Sequence, residues 1–148
     1  MISKASKYAI RAVLYLAQKS EINNKIGAKA IAEEIQVPHP FLAKLLRDLA
    51  TKNIITSTKG PTGGFYLSET NRKENIWNII ENIDGSIKFE QCFLGLSACD
   101  DKNPCPVHHL AAKFKTEILN LFKHKSIDDL VKEIKMESTL ISLKGLNL

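Results

Sequence analysis

The chain has no long apolar run, no Cys-x-x-Cys pair and no even set of cysteines. Its early apolar stretch AVLYLA, residues 12–17, is bounded by Arg11 on one side and Gln18 and Lys19 on the other. It falls well short of the roughly 20 residues that span a bilayer. It also lacks the longer apolar region and small-residue cleavage site of a secretory leader. The stretch therefore reads as a buried helix of a cytoplasmic protein with no membrane partner. Three cysteines in 148 residues do not make the even disulfide framework of a small secreted domain, so reduced thiols are expected, as metal ligands or redox groups. Without a Cys-x-x-Cys pair, a zinc ribbon or knuckle is disfavoured.

A length of 148 residues with 44% hydrophobic composition suits one well-buried folding unit with an extension. The formal charge of +5 is unevenly placed: residues 1–64 carry ten Lys or Arg against four Asp or Glu, and the remainder carries eleven against twelve. A basic first half suits a domain that meets a polyanion. Ordinary soluble surfaces show a similar excess, so the placement of the basic residues must decide.

In residues 6–17, Tyr8, Ala9, Ala12, Val13 and Leu16 recur at helical spacing, with Ile10, Leu14 and Tyr15 on neighbouring faces. This predicts a central helix that is apolar on nearly all sides. GAKAIAEEIQV places Ala28, Ile31 and Ile35 on one stripe of a short helix that ends before Pro38, because the residue preceding a proline is pushed out of helical geometry. A third helix is expected from Pro40, which is tolerated in a first turn. Phe41, Leu42, Leu45, Leu46 and Leu49 form its apolar face, and Lys44, Arg47, Asp48, Thr51 and Lys52 its polar face. Two short helices of this kind, the second with a basic outer face, make a helix-turn-helix candidate. The β-branched residues at 54–58, the tip Gly60-Pro61-Thr62-Gly63-Gly64 and Phe65 to Leu67 then predict a hairpin. Alone this would be an ordinary glycine-rich turn; directly after a helix-turn-helix it is a wing that can approach phosphates or the minor groove. Expected DNA contacts are Lys44 and Arg47 on the polar face, His39, Pro40 and Phe41 near the helix start, Lys59, Gly60, Thr62 and Gly63 at the wing, and Lys7 on a phosphate.

ENIWNIIENIDG gives a further helix with Ile76, Ile79, Ile80 and Ile83 on one face, Trp77 beside them in the core, and Gly85 ending it. From Pro106 a long helix is expected in which Val107, Ala111, Phe114, Ile118 and Leu121 recur at alternating gaps of four and three. That period makes a narrow seam for a partner helix, covered either by the chain's own core or by a second copy. Ser126 with Asp129 resembles a cap for a short last helix, DDLVKEI, while residues 136–148 show no periodicity. The expected architecture is mainly α with a small β-hairpin wing. Residues 1–85 would be a winged helix-turn-helix DNA-binding domain, 86–105 a cysteine-containing loop, 106–135 a dimerisation helix with the short last helix, and 136–148 a tail.

QCFLGLSACDDKNPCPVHHL, residues 91–110, holds all three cysteines and two of the four histidines. Cys92, Cys99, Cys105 and His108 are separated by gaps of six, five and two residues. A loop with such gaps can wrap a compact cluster, with Cys105 near a helix N-terminus that favours thiolate and His108 on the same helical face. An iron-sulfur cluster, another metal such as zinc, and three structural thiols without metal all remain open.

SKYAIRAVLYLA, PFLAKLLRDLATKNII, KGPTGGFYL and the run C-x6-C-x5-C-P-V-H together resemble the Rrf2 family of bacterial winged helix-turn-helix regulators over about residues 1–133. The wing tip in register after the helix pair is the most specific part. The resemblance implies a homodimeric transcription factor that binds a double-stranded DNA operator, and not an enzyme. Cluster-bearing members hold iron with three cysteines of this loop and a fourth residue, so the implied ligands here are Cys92, Cys99, Cys105 and His108. In another type of member the fourth ligand is an aspartate from the partner's first helix, and SKYA offers no carboxylate. The complete three-cysteine, one-histidine set favours a 2Fe-2S centre. The alternative is the same DNA-binding regulator without a cluster, controlled by a protein or small-molecule signal. An enzyme using Cys105 as nucleophile with His108 or His109 as base lacks an orienting third group and a substrate cleft.

Overall fold

The structure is a computed structural model that describes residues 2–97 and 99–136. Its first helix, α1 (Lys4–Lys19), is the central element of the main core. Ser3 caps it by accepting from the Ser6 N–H at 3.1 Å, satisfying one of the helix's orphan donors. Ala9, Ala12, Val13 and Leu16 are fully buried, and the small side chains let α2 (Ala28–Ile35), α3 (His39–Thr51), α5 (Ile76–Asp84) and α8 (Ile127–Met136) pack against it. The Ser3 N–H also donates to Asp84 Oδ2 at 2.7 Å, tying the chain start to the end of α5. Burial alone would raise the Asp84 carboxyl, but hydrogen bonds from Ser3 and the nearby Lys88 ammonium hold it below the usual carboxylate range.

The turn between α2 and α3 contains Gln36 in the left-handed region (φ 55°) and Val37, whose N–H returns to Ala32 O at 3.0 Å. Helix α3 starts at His39, one residue before the position expected, and keeps Pro40 in its first turn. Strands β1 (Thr56–Thr58) and β2 (Gly64–Tyr66) pair antiparallel, with Ser57 opposite Phe65. Ile26 adds a bridge that periodicity did not announce: it exchanges two main-chain hydrogen bonds with Phe65, at 2.9 and 2.8 Å. The wing glycines are there for close approach. A Cβ on Gly63 would lie 2.3 Å from Thr58 O, and one on Gly64 would lie 3.0 Å from the Ile26 main chain. The expected hairpin and helix pair are thus present, in a mostly helical fold.

At the base of the wing stands Asn71, buried in the single turn α4 (Glu69–Arg72). Its Nδ2 donates to Asn53 O at 2.8 Å, and its Oδ1 accepts from Thr56 Oγ1 at 2.7 Å and Ser68 N–H at 3.0 Å. Arg72 beside it donates to Ala17 O at 2.7 Å and Ser20 O at 2.9 Å and reaches Asp128 at 3.5 Å, so α1, α4 and α8 meet there.

A second cluster lies at the far side of α5, where Trp77, Ile76 and Ile80 meet Phe89 of α6 (Ile87–Glu90). Helix α7 (His108–His124) lays Ile118, Leu119 and Phe122 on it. Trp77 and Phe89 meet edge to face at 5.2 Å, a favourable aromatic arrangement. Trp77 is core, as expected. Helix α7 begins two residues later than Pro106, because the His108 N–H closes a turn onto Cys105 O at 2.9 Å and the first helical bond runs from Ala111 N–H to Val107 O. Segment 86–105 is not loop throughout, since Phe89 anchors the turn of α6 in the core. The expected Ser126–Asp129 cap is formed: Ser126 Oγ donates to Asp129 Oδ2 at 2.7 Å and accepts from the Asp129 N–H at 3.1 Å. Of the expected tail, residues 137–148 lie outside the described residues.

Replacing Asn71 with alanine strands the Asn53 carbonyl and removes the Thr56 and Ser68 partners, so a loss of about 2–3 kcal/mol is expected in urea unfolding. A loss under about 0.5 kcal/mol would show that water replaces these bonds freely.

Candidate nucleic-acid interface and cysteine loop

Helix α3 turns Leu42, Leu45, Leu46 and Leu49 into the core and leaves His39, Pro40, Lys44 and Arg47 exposed. Phe41 is 44% exposed and touches the Tyr8 ring edge-on at 5.8 Å. Lys7 is exposed on α1; Lys59, Gly60 and Thr62 are exposed at the wing tip, and Gly63 is half-buried beneath it. Arg11 has a different place: it donates to Ile35 O and sits 5.5 Å from the Tyr8 ring, joining α1 to the end of α2. Of the basic residues singled out from the sequence, Lys44, Arg47 and Lys59 therefore sit at the surface of the second helix of the pair and of the hairpin that follows it, and Lys7 on α1, an arrangement suited to a groove and its flanking phosphates.

In the cysteine loop all three thiols are free, with Cys92 buried, Cys105 half-buried and Cys99 exposed. The main-chain N–H groups of Leu96 and Leu94 hold the Cys92 thiol below its ordinary range against the opposing effect of burial, aided by the Cys105 side chain and the Lys115 ammonium. Lys115 also donates to Gln91 O, fastening α7 to the head of the loop. Cys99 Sγ lies 3.4 Å from His108 Nδ1, and Asp101 Oδ1 lies 2.7 Å from His108 Nε2. His108 is only 4% exposed, whereas its neighbour His109 is exposed and meets it edge-on at 5.5 Å. The four candidate donors thus stand as two neighbouring pairs, Cys92 with Cys105 and Cys99 with His108. Among the described residues no three His, Cys, Asp or Glu gather around a single point. Asp101 was not singled out from the sequence; a contact across seven residues of loop leaves no periodic trace.

The expected seam on α7 divides. Leu110, Phe114 and Leu121 are 77%, 48% and 58% exposed, Val107 and Ala111 are half-buried, and Ile118 packs toward Trp77 and Ile80. At 3.6 residues per turn, Leu110, Phe114 and Leu121 fall within about 40° of one another and Ile118 lies to their inner side. Leu110 is the residue that the heptad-like spacing missed.

A two-helix unit with an exposed basic second helix and a hairpin directly after it defines a winged helix-turn-helix protein. Comparison with known proteins refines this class. The chain belongs to the Rrf2 family: the family's model, described as an iron-dependent transcriptional regulator, matches residues 2–133. A protein of Aquifex aeolicus named as an HTH-type transcriptional regulator is 37% identical over 133 residues, covering 88% of this chain and 91% of its own. The fold is similar to that of CymR, the global cysteine regulator of B. subtilis, with a TM-score of 0.71 at 19% identity over 90% of this chain and 97% of CymR. It is also similar to that of T. potens IscR, with a TM-score of 0.70 at 22% identity over 94% and 91% of the two chains. The family makes this chain a transcriptional regulator and not an enzyme. No helix among the described residues is long and apolar enough to cross a membrane.

Proposed function

We propose that the protein is a cytoplasmic homodimeric regulator whose affinity for a double-stranded DNA operator depends on an iron-sulfur cluster held by Cys92, Cys99, Cys105 and His108. The observation that carries this reading is the pairing of the donors. A lone tetrahedral ion needs its ligands around one point, whereas a two-iron centre takes two ligands on each iron, and two pairs are what the loop presents. The donor set fits a 2Fe-2S group chemically, with three thiols, one depressed below its ordinary range, and a buried imidazole. When bound, the group supplies a centre responsive to redox or nitric-oxide status. The chain's own part is to hold negative charge at Cys92 with main-chain N–H groups, to shield His108 from water, and to join the loop to α7 through Lys115.

The exposed side chains Leu110, Phe114 and Leu121 support pairing through a second copy of α7, since large apolar groups left uncovered along one helix face gain by burial against a partner. A twofold dimer would set two α3 helices on half-sites about one helical turn apart. In this reading Lys44, Arg47, His39, Pro40 and Phe41 meet base edges, Lys59, Gly60, Thr62 and Gly63 follow the wing's groove, and Lys7 meets a phosphate. A second reading, a regulator without a cluster that answers a protein or small-molecule signal, draws support from the lack of a three-donor group among the described residues.

Arg47→Ala or Lys59→Ala should weaken operator binding by about 1–3 kcal/mol where a base contact is lost, or lower the salt slope by about one where a phosphate contact is lost. Unchanged affinity and slope for both variants in a gel-shift titration would remove the helix-plus-wing interface. A Phe114→Asp, Leu121→Asp pair should give monomers by light scattering without loss of helical signal, because neither side chain fills the chain's own core; a persistent dimer would place the interface elsewhere. Anaerobic reconstitution with iron and sulfide separates the two readings. Cys92→Ala, Cys99→Ala and Cys105→Ala should each severely deplete bound iron and sulfide, and His108→Ala should leave a more labile centre. A wild type that takes up no more than a variant lacking all three cysteines would leave the cluster-free regulator.

A further inference from the structure

We propose that Asp101 is the positioning residue of the cysteine loop: it holds the His108 ring by its Nε2–H and so makes Nδ1 the nitrogen presented to a cluster. The proposal rests on the cluster reading above and adds which atom of the imidazole serves and what selects it.

His108 is buried, and a buried imidazole must satisfy both ring nitrogens. Nε2 lies 2.7 Å from Asp101 Oδ1. An ionised carboxylate only accepts, so Nε2 carries the hydrogen and donates it. A neutral ring protonated at Nε2 has a bare lone pair at Nδ1, and Nδ1 is the nitrogen that faces Cys99 Sγ, at 3.4 Å. The thiol proton of Cys99 and a metal ion call for the same lone pair. The loop thus already holds, between Cys99 and Nδ1, the orientation that ligation needs. Histidines that bind metals commonly donate their other N–H to a carboxylate, which sets tautomer and ring angle.

The neighbouring acid has a different task. Asp100 Oδ1 accepts from the Lys102 N–H at 2.9 Å, an Asx-type bond that shapes the turn. Asp101 is free to reach across to the start of α7. Its side chain is almost fully solvated while that of His108 is almost fully enclosed. The bond between them therefore gives direction to the ring more than stability to the fold. The same geometry distinguishes His108 from His109, whose ring is exposed.

The test uses the full reduced chain without iron, ring-labelled with nitrogen-15 at histidine and held at a pH where imidazole is neutral. Long-range proton–nitrogen correlations should show His108 as the Nε2–H form, with a ring proton protected from exchange. Asp101→Ala should lose that protected proton and populate both ring forms, whereas Asp101→Asn, whose amide oxygen still accepts, should keep it; a structural role alone predicts no such difference. An Nδ1–H form in the wild type, or a protected Nε2–H in Asp101→Ala, overturns the proposal. After loading with iron and sulfide, Asp101→Ala should lose its visible absorbance to a chelator about tenfold faster than the wild type or Asp101→Asn, and equal rates overturn the proposal. A wild type that binds no iron or sulfide sinks the cluster reading instead, a result distinct from either ring-form outcome in the iron-free chain.

Discussion

The placing of α3 depends on how closely neighbouring helices can approach α1. Ala9 and Ala12 are completely buried on it, and interiors are packed densely enough that one added methylene is felt, typically at about 1–3 kcal/mol. That tight seat holds α2, α3 and α5 around one axis, with α8 closing the remaining side. The consequence for function is direct. Because α3 commits Leu42, Leu45, Leu46 and Leu49 inward, Lys44 and Arg47 have only the outward face of the helix to occupy.

The wing depends on a different kind of constraint, that of satisfying main-chain groups near the surface. The hairpin has only three paired positions, too few to stand alone. It is held on one edge by Ile26 and at its base by Asn71. Gly63 and Gly64 are needed because the Thr58 and Gly60 carbonyls and the Ile26 main chain pass where a side chain would be. The G-P-T-G-G tip was legible in the sequence as a turn with a purpose. Ile26 and Asn71 were not, because a one-residue bridge and a buried amide have no period to detect.

The same division runs through the C-terminal half. Gaps between Cys92, Cys99, Cys105 and His108 could be counted from the sequence, and the Ser126–Asp129 cap was visible because caps have fixed spacing. Asp101 escaped notice since its partner lies across an irregular loop. On α7 the spacing of Val107, Ala111, Phe114, Ile118 and Leu121 identified an apolar surface but merged two. One faces Trp77 and Phe89; the other, completed by Leu110, faces outward. At 3.6 residues per turn a step of four turns the row by about +40° and a step of three by about −60°, so Phe114 and Leu121 fall to one side of it and Ala111 and Ile118 to the other.

The cysteine loop and α3 are joined through elements that share packed clusters. Phe89 stands three residues before Cys92 and is wedged between Trp77 and Phe122. Trp77 belongs to α5, whose opposite face contributes Ile79 to the core that contains α1 and α3. A displacement of Cys92 would bear on Phe89 through a short main-chain span and on α7 through the Lys115 bond to Gln91 O. Close-packed aromatic contacts of this kind shift between discrete arrangements more readily than they deform. Both routes lead into the aromatic cluster between α5 and α7, where the ring of Phe89 meets Trp77 and Phe122.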